Sequence, residues 1–203
     1  MTLESLAIAV VEATEAAAVD FMVVGAIAAG AYGVPRSTKD VDLLVAVSVT
    51  GGVAATIESL KPIVEFEPQV VFDTLTWGRR HVGQSRSTPP FKVELSEVFE
   101  NPFVQEEFRR RQQVFVPMLG RPTWLPTPED VIVQKLRWGR GKDLDDARDV
   151  LAVQGPETLD MTYIHAWCAR HGTTARLEAA LAGIPPMSAS SSTFQCRARR
   201  LTL

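Results

Sequence analysis

Residues 23–45 read VVGAIAAGAYGVPRSTKDVDLLV, and the end of this stretch decides the fold. Asp40 and Asp42 open an otherwise apolar strand that runs to about Val47. Successive strand side chains point to opposite faces, so the two aspartates share one face, their Cα atoms about 6.6 Å apart. Carboxylates at that spacing repel, and a packed sheet beside them adds a desolvation cost. Three arrangements offset this: a proton held by one acid, a neighbouring Lys39 or Arg36, or a divalent cation that takes oxygens from both. The plain alternative is an exposed strand end with two solvated aspartates.

Upstream, Phe21 to Val24 reads as a short strand that stops at Gly25, and the alanines up to Tyr32 favour a helix. A glycine at a strand end admits a ligand to the backbone, and a following helix N-terminus offers free N–H groups to phosphate. Such a turn beside paired carboxylates suits a nucleoside triphosphate. The strand after Asp42 is apolar on both faces and belongs inside a sheet.

Further along, residues 3–18 and 50–61 read as helices, and Ile63 to Phe66, Val70 to Phe72 and Lys92 to Val98 as strands. The polar stretch Gly78 to Pro90 reads as a loop, and Asn101 to Gln113 as a charged helix. Val114 to Met118 and Thr123 to Leu125 flank Gly120 and Pro122 as a hairpin. Thr127 caps a helix that ends near Trp138, a second starts near Lys142, and two more span 161–171 and 174–181. The pattern is a mixed α/β (α+β) fold: a small sheet flanked by helices in residues 1–126, then a helical region in 127–184. The Ser-rich, then basic stretch 185–203 reads as a disordered tail.

The chain has 203 residues, 46% of them hydrophobic, and a net charge of −3, so no global basic field advertises a polyanion. Its longest apolar run, Phe21 to Val34, contains three glycines and is too short for a bilayer span. Two distant cysteines, Cys168 and Cys196, and no basic leader point to a cytoplasmic protein. No membrane partner is expected.

With these residues in view, the chain resembles the polymerase-beta-like nucleotidyltransferases. Their pattern is a hydrophobic residue and Gly followed by Gly or Ser, a spacer, then Asp-hydrophobic-acid-hydrophobic. Here it reads Val24-Gly25-Ala26, thirteen residues, then Asp40-Val41-Asp42-Leu43. Ala26 departs from the pattern by lacking the hydroxyl that helps hold phosphate. GAIAAGAYGVPRSTKDVDLLV and TPEDVIVQKLRWGRGKDLDDARDV also resemble the two signatures of the AbiEii-type toxin group.

The resemblance implies a nucleotidyltransferase sheet and a Mg2+ (or Mn2+) ion held by Asp40, Asp42 and a third acid. Glu94 in FKVELSEVF is the candidate, although the usual residue is Asp; a wet strand face with Lys92, Glu94 and Ser96 solvated is equally open, and Asp73 is a weaker competitor. It further implies that Gly25, Ala26, Arg36, Thr38, Lys135 and Lys142 serve the nucleotide, with Asp143 orienting Lys135 or a neighbouring base. Read without the resemblance, Lys135 is a stem on apolar surface, and Asp143, Asp146 and Asp149 are a solvated acidic face.

The implied reaction is nucleotidyl transfer to a hydroxyl of RNA (tRNA included), of protein or of a small molecule. A small antitoxin protein is the implied partner. The alternative is an inactive nucleotide- or partner-binding member of the same fold, supported by Ala26 and Glu94. His81, His165 and His171 lack metal spacing, and Arg109-Arg110-Arg111 beside Glu106 and Glu107 reads either as an RNA contact or as a solvated face.

Overall fold

The strand that carries the aspartates spans Asp40–Val45, and its alternation divides the molecule into two faces. Val41, Leu43 and Val45 enter the main core, while Asp40 and Asp42 lie half-buried on the other face. The computed structural model describes residues 1–47, 51–73 and 78–184. The expected tail 185–203, with Cys196, and the expected helix start at Thr50 lie outside the described residues.

The elements run α1 (Leu3–Ala16), β1 (Phe21–Val23), α2 (Gly25–Tyr32), β2 (Asp40–Val45), α3 (Gly52–Leu60), β3 (Val64–Phe66), β4 (Val71–Phe72), β5 (Arg79–Ser85) and β6 (Lys92–Glu97). They continue with α4 (Pro102–Arg109), β7 (Gln112–Val116), a 3-10 turn (Pro117–Leu119), β8 (Arg121–Leu125), α5 (Pro128–Trp138), α6 (Gly141–Gln154), α7 (Met161–His171) and α8 (Thr174–Ala182). The sheet order is β1-β2-β6-β5-β3, with β4 also on β5. Among the described residues, β2 and β6 pair in parallel and the other pairs are antiparallel, so the sheet is mixed. β7 and β8 form a separate hairpin.

Two expectations are corrected. Residues 79–85 form β5, an inner strand, rather than a loop. Its polar side chains have partners across the sheet: Arg80 pairs with Glu94 and Asp73, and His81 hydrogen-bonds Glu97. Gly83 marks a close approach and not a turn, since a Cβ there would lie 2.6 Å from Val64 Cγ1. The charged helix stops at Arg109, and Gln112 already belongs to β7.

One hydrophobic cluster joins the sheet to the later helices, with Leu6, Leu43, Leu95, Ile132, Val150 and Leu177 all in it. Tyr32 fastens α2 across residue 126, its hydroxyl donating to Pro126 O at 2.8 Å. Among the described residues, no helix is long and apolar enough to cross a membrane.

Candidate active site

The parallel pairing of β2 with β6 places Asp42 opposite Glu94 and Asp40 opposite Lys92. Acids distant in the chain thus become neighbours on one sheet face. Above them starts α2. Gly25 sits at φ +69°, and a Cβ on it would lie 2.2 Å from Asp42 Oδ2. Glycine is therefore demanded twice, by the backbone conformation and by the carboxylate packed against it.

Asp42 is strongly perturbed. Burial, then the negative charges of Glu94 and Asp40, lift its pKa from 3.8 to about 7. Glu94 is turned onto cations, ion-paired with Lys92 and with Arg80. Thr38 braces the turn before β2, its Oγ1 accepting from Asp40 N at 3.2 Å.

A chain of ion pairs faces this sheet edge. Arg36 Nε and Nη2 donate to the two carboxylate oxygens of Asp146 at 2.6 and 2.9 Å. Lys135 Nζ donates to Asp146 at 2.7 Å and to Asp143 at 3.2 Å. Arg140 Nε donates to Asp143 at 2.5 Å. Burial opposes ionisation of Asp143 and Asp146, yet these cations hold both carboxyls below the usual range. The solvated-face reading of α6 is thereby corrected: Asp143 and Asp146 are buried, because the apolar stripe of Ala147 and Val150 turns them inward.

Gly25, Ala26, Arg36, Thr38, Asp40, Asp42, Glu94, Lys135, Lys142 and Asp143, ten residues singled out from the sequence, all line one cavity of about 230 Å³. Arg140 and Trp138 line it as well, with the Arg140 guanidinium 5.3 Å from the Trp138 ring centroid.

Among the described residues, no group of three or more His, Cys, Asp or Glu stands gathered for a metal ion. The donor chemistry of Asp40 and Asp42 nevertheless suits a hard dication. Both are oxygen donors on one face, and their mutual repulsion with Glu94 lacks a full counter-charge.

Three groups escaped the sequence reading. Asp146 joins Arg36 to Lys135, Arg80 engages Glu94, and Glu107 lines the cavity. Glu107 is buried, not solvated, because it shares the inward face of α4 with Phe103 and Val104. That spacing of one and four residues is a legible signal. The arginine triplet has structural partners instead of a free face: Arg109 pairs with Glu106, Arg110 with Asp130, and Arg111 with Asp20.

No protein-family model matches the sequence, and no curated protein is similar to it. Solved structures are similar in fold. The antibiotic-resistance factor ANT(2'')-Ia, in complex with adenylyl-2''-tobramycin, is 13% identical with a TM-score of 0.60, over 86% of this chain and 99% of that one. An antigenic nucleotidyltransferase-like protein from Paracoccidioides brasiliensis is 20% identical at a TM-score of 0.54, covering 89% and 92%. JHP933 from Helicobacter pylori is 15% identical at 0.53, covering 82% and 71%. The mixed sheet, its flanking helices and these likenesses together give this chain the nucleotidyltransferase fold.

Proposed function

We propose that this protein transfers a nucleotidyl group from a nucleoside triphosphate to a hydroxyl acceptor, with Mg2+ or Mn2+ as cofactor: the acceptor oxygen bonds to the α-phosphorus, the bond to the β-phosphate oxygen breaks, and pyrophosphate leaves. The observation that carries the reading is the Asp42–Glu94 register across β2 and β6, roofed by Gly25 at the start of α2. The N-terminus of α2, with Gly25 and Ala26, presents backbone N–H groups to the phosphates. Lys135, Arg140 and Lys142 neutralise them from the α5–α6 side, and the buried Asp143 and Asp146 hold Lys135 in place. Asp40 and Asp42 would hold the metal ion, which, when bound, disperses charge on the reacting phosphate. Glu94 receives the proton of the acceptor hydroxyl, its longer arm turning from Lys92 and Arg80 toward Asp42.

The neighbour solved with adenylyl-2''-tobramycin supports a small-molecule acceptor. The two sequence signatures instead support an AbiEii-type toxin that modifies an RNA or protein hydroxyl and pairs with a small antitoxin protein. Purified protein with magnesium and α-labelled nucleoside triphosphates tests the shared core of these readings. Label should pass to an acceptor in a cell extract, and Asp42→Asn should abolish it. Label transfer that survives the substitution overturns the site assignment.

A second reading, a nucleotide-binding member without transferase activity, is favoured by one observation: Glu94 is already engaged by Lys92 and Arg80. Nucleotide binding by calorimetry that is indifferent to metal would support it.

A further inference from the structure

One face of α5 runs along the cavity wall. Val131, Gln134, Lys135 and Trp138 recur on it at positions i, i+3, i+4 and i+7, and all four line the cavity. Lys135 is held on the phosphate side by Asp143 and Asp146. Trp138 stands nearly one turn beyond it, at the end of the helix.

Trp138 differs from the other large aromatic residues of the molecule. Trp124 and Trp167 pack against the hydrophobic clusters, and so does Phe99, which lines the same cavity. Trp167 also meets the rings of Phe103, Tyr163 and His171. Among the described residues, Trp138 packs against neither cluster and has no aromatic partner. It is half-buried, and its ring contact there is the Arg140 guanidinium, 5.3 Å from the centroid. Core packing therefore does not account for an indole at this position. The Arg140 side chain is 57% exposed, so water weakens its pair with Asp143, and Lys135 still holds Asp143 when Arg140 moves.

A flat aromatic surface beside a group of cations matches a molecule with a flat ring at one end and phosphates at the other. We propose that Trp138 is the platform on which the base of the nucleoside triphosphate stacks. This rests on the transferase reading above and adds the residue that recognises the base. The phosphates lie on Lys135 and Lys142, the base lies flat on the indole, and Arg140 turns from the ring to the phosphates. Gly139 and Gly141, on either side of Arg140, have no side chain to read the edge of a base. Recognition at this turn is thus of a ring face.

The test is calorimetric binding, with magnesium, of ATP and of ribose triphosphate, which carries the same sugar and phosphates without a base. Neither measurement needs an acceptor. ATP should bind at least about tenfold more tightly, the scale of one base stacked on an aromatic side chain. Trp138→Leu should bring the two ligands together by weakening ATP alone, and Trp138→Phe should keep most of the preference. In the wild type, ATP and not ribose triphosphate should quench indole fluorescence, and Trp138→Phe should lose that quenching while it still binds ATP. Equal affinity of the two triphosphates, or ATP binding without quenching, overturns the platform and leaves the transferase reading standing. Binding of neither overturns both. A Trp138→Leu loss that is equal for the two ligands makes Trp138 an anchor of the α5–α6 turn alone, and also overturns the proposal.

Discussion

Arg36 and Asp146 meet in a bidentate ion pair, with Nε and Nη2 at 2.6 and 2.9 Å from the two carboxylate oxygens. The pair fastens the turn before β2 to α6, and Asp146 shares its second oxygen with Lys135. Two cations that face the proposed phosphate site thus depend on one buried acid. Asp146→Asn should destabilise the fold by about 3 kcal/mol, the scale for breaking a buried pair. It should also weaken nucleotide binding about tenfold, which is about 1.4 kcal/mol. Thermal melts and calorimetric titration with a magnesium–nucleotide complex check both. Unchanged nucleotide affinity would reduce Asp146 to a purely structural anchor.

Gly25 admits no side chain. Gly25→Ala places a methyl group against the Asp42 carboxylate at a positive φ. A cost of about 1–3 kcal/mol is expected from backbone strain alone. Because the methyl displaces Asp42, loss of transferase activity should exceed anything the stability change explains. A crystal structure of the variant with Asp42 undisturbed would remove that argument.

Asp42 makes stability depend on pH. The unfolded chain releases this proton near 3.8, whereas the folded protein keeps it to about 7. Between those values the folded state binds more protons, so stability falls as pH rises through the window. Asp42→Asn has no proton to lose. In metal-free buffer its stability relative to wild type should therefore improve from acidic to neutral pH and level off above about 7. Denaturant titrations across that range measure the difference, and a flat one would contradict the burial of this carboxylate.

His171 acts in the opposite direction. It packs edge-on against Phe103, ring centroids 5.2 Å apart, and burial, then Arg137 and Arg170, push its pKa from 6.5 down to about 4. Its stabilising contribution is complete above 6.5 and disappears as pH falls toward 4. His171→Phe should flatten that acid limb of the stability profile. An unaltered limb would assign it to other groups.

Much of the fold was legible because periodicity and chain punctuation agreed with it. The strand ending at Gly25, the β2 alternation and the Thr127-capped helix stand as read. Residues 79–85 were not legible as a strand, because their polar side chains are satisfied by acids distant in sequence, and composition carries no record of such partners. The ten singled-out residues around the cavity were found through spacing and resemblance. Asp146 and Glu107 were passed over for a shared reason. Each looks solvated in a list of charges, and only its phase relative to the apolar residues of its helix turns it inward.

The parallel pairing of β2 with β6 has a temporal consequence. Asp42 is made early in synthesis, and Glu94 reaches it only after α3, β3, β4 and β5 have emerged and β6 has closed beside β2. Contacts between distant parts of a chain form late, so the acidic centre should assemble near the end of folding. A nascent chain halted before residue 92 carries its aspartates without the neighbouring strand that brings Glu94 opposite Asp42.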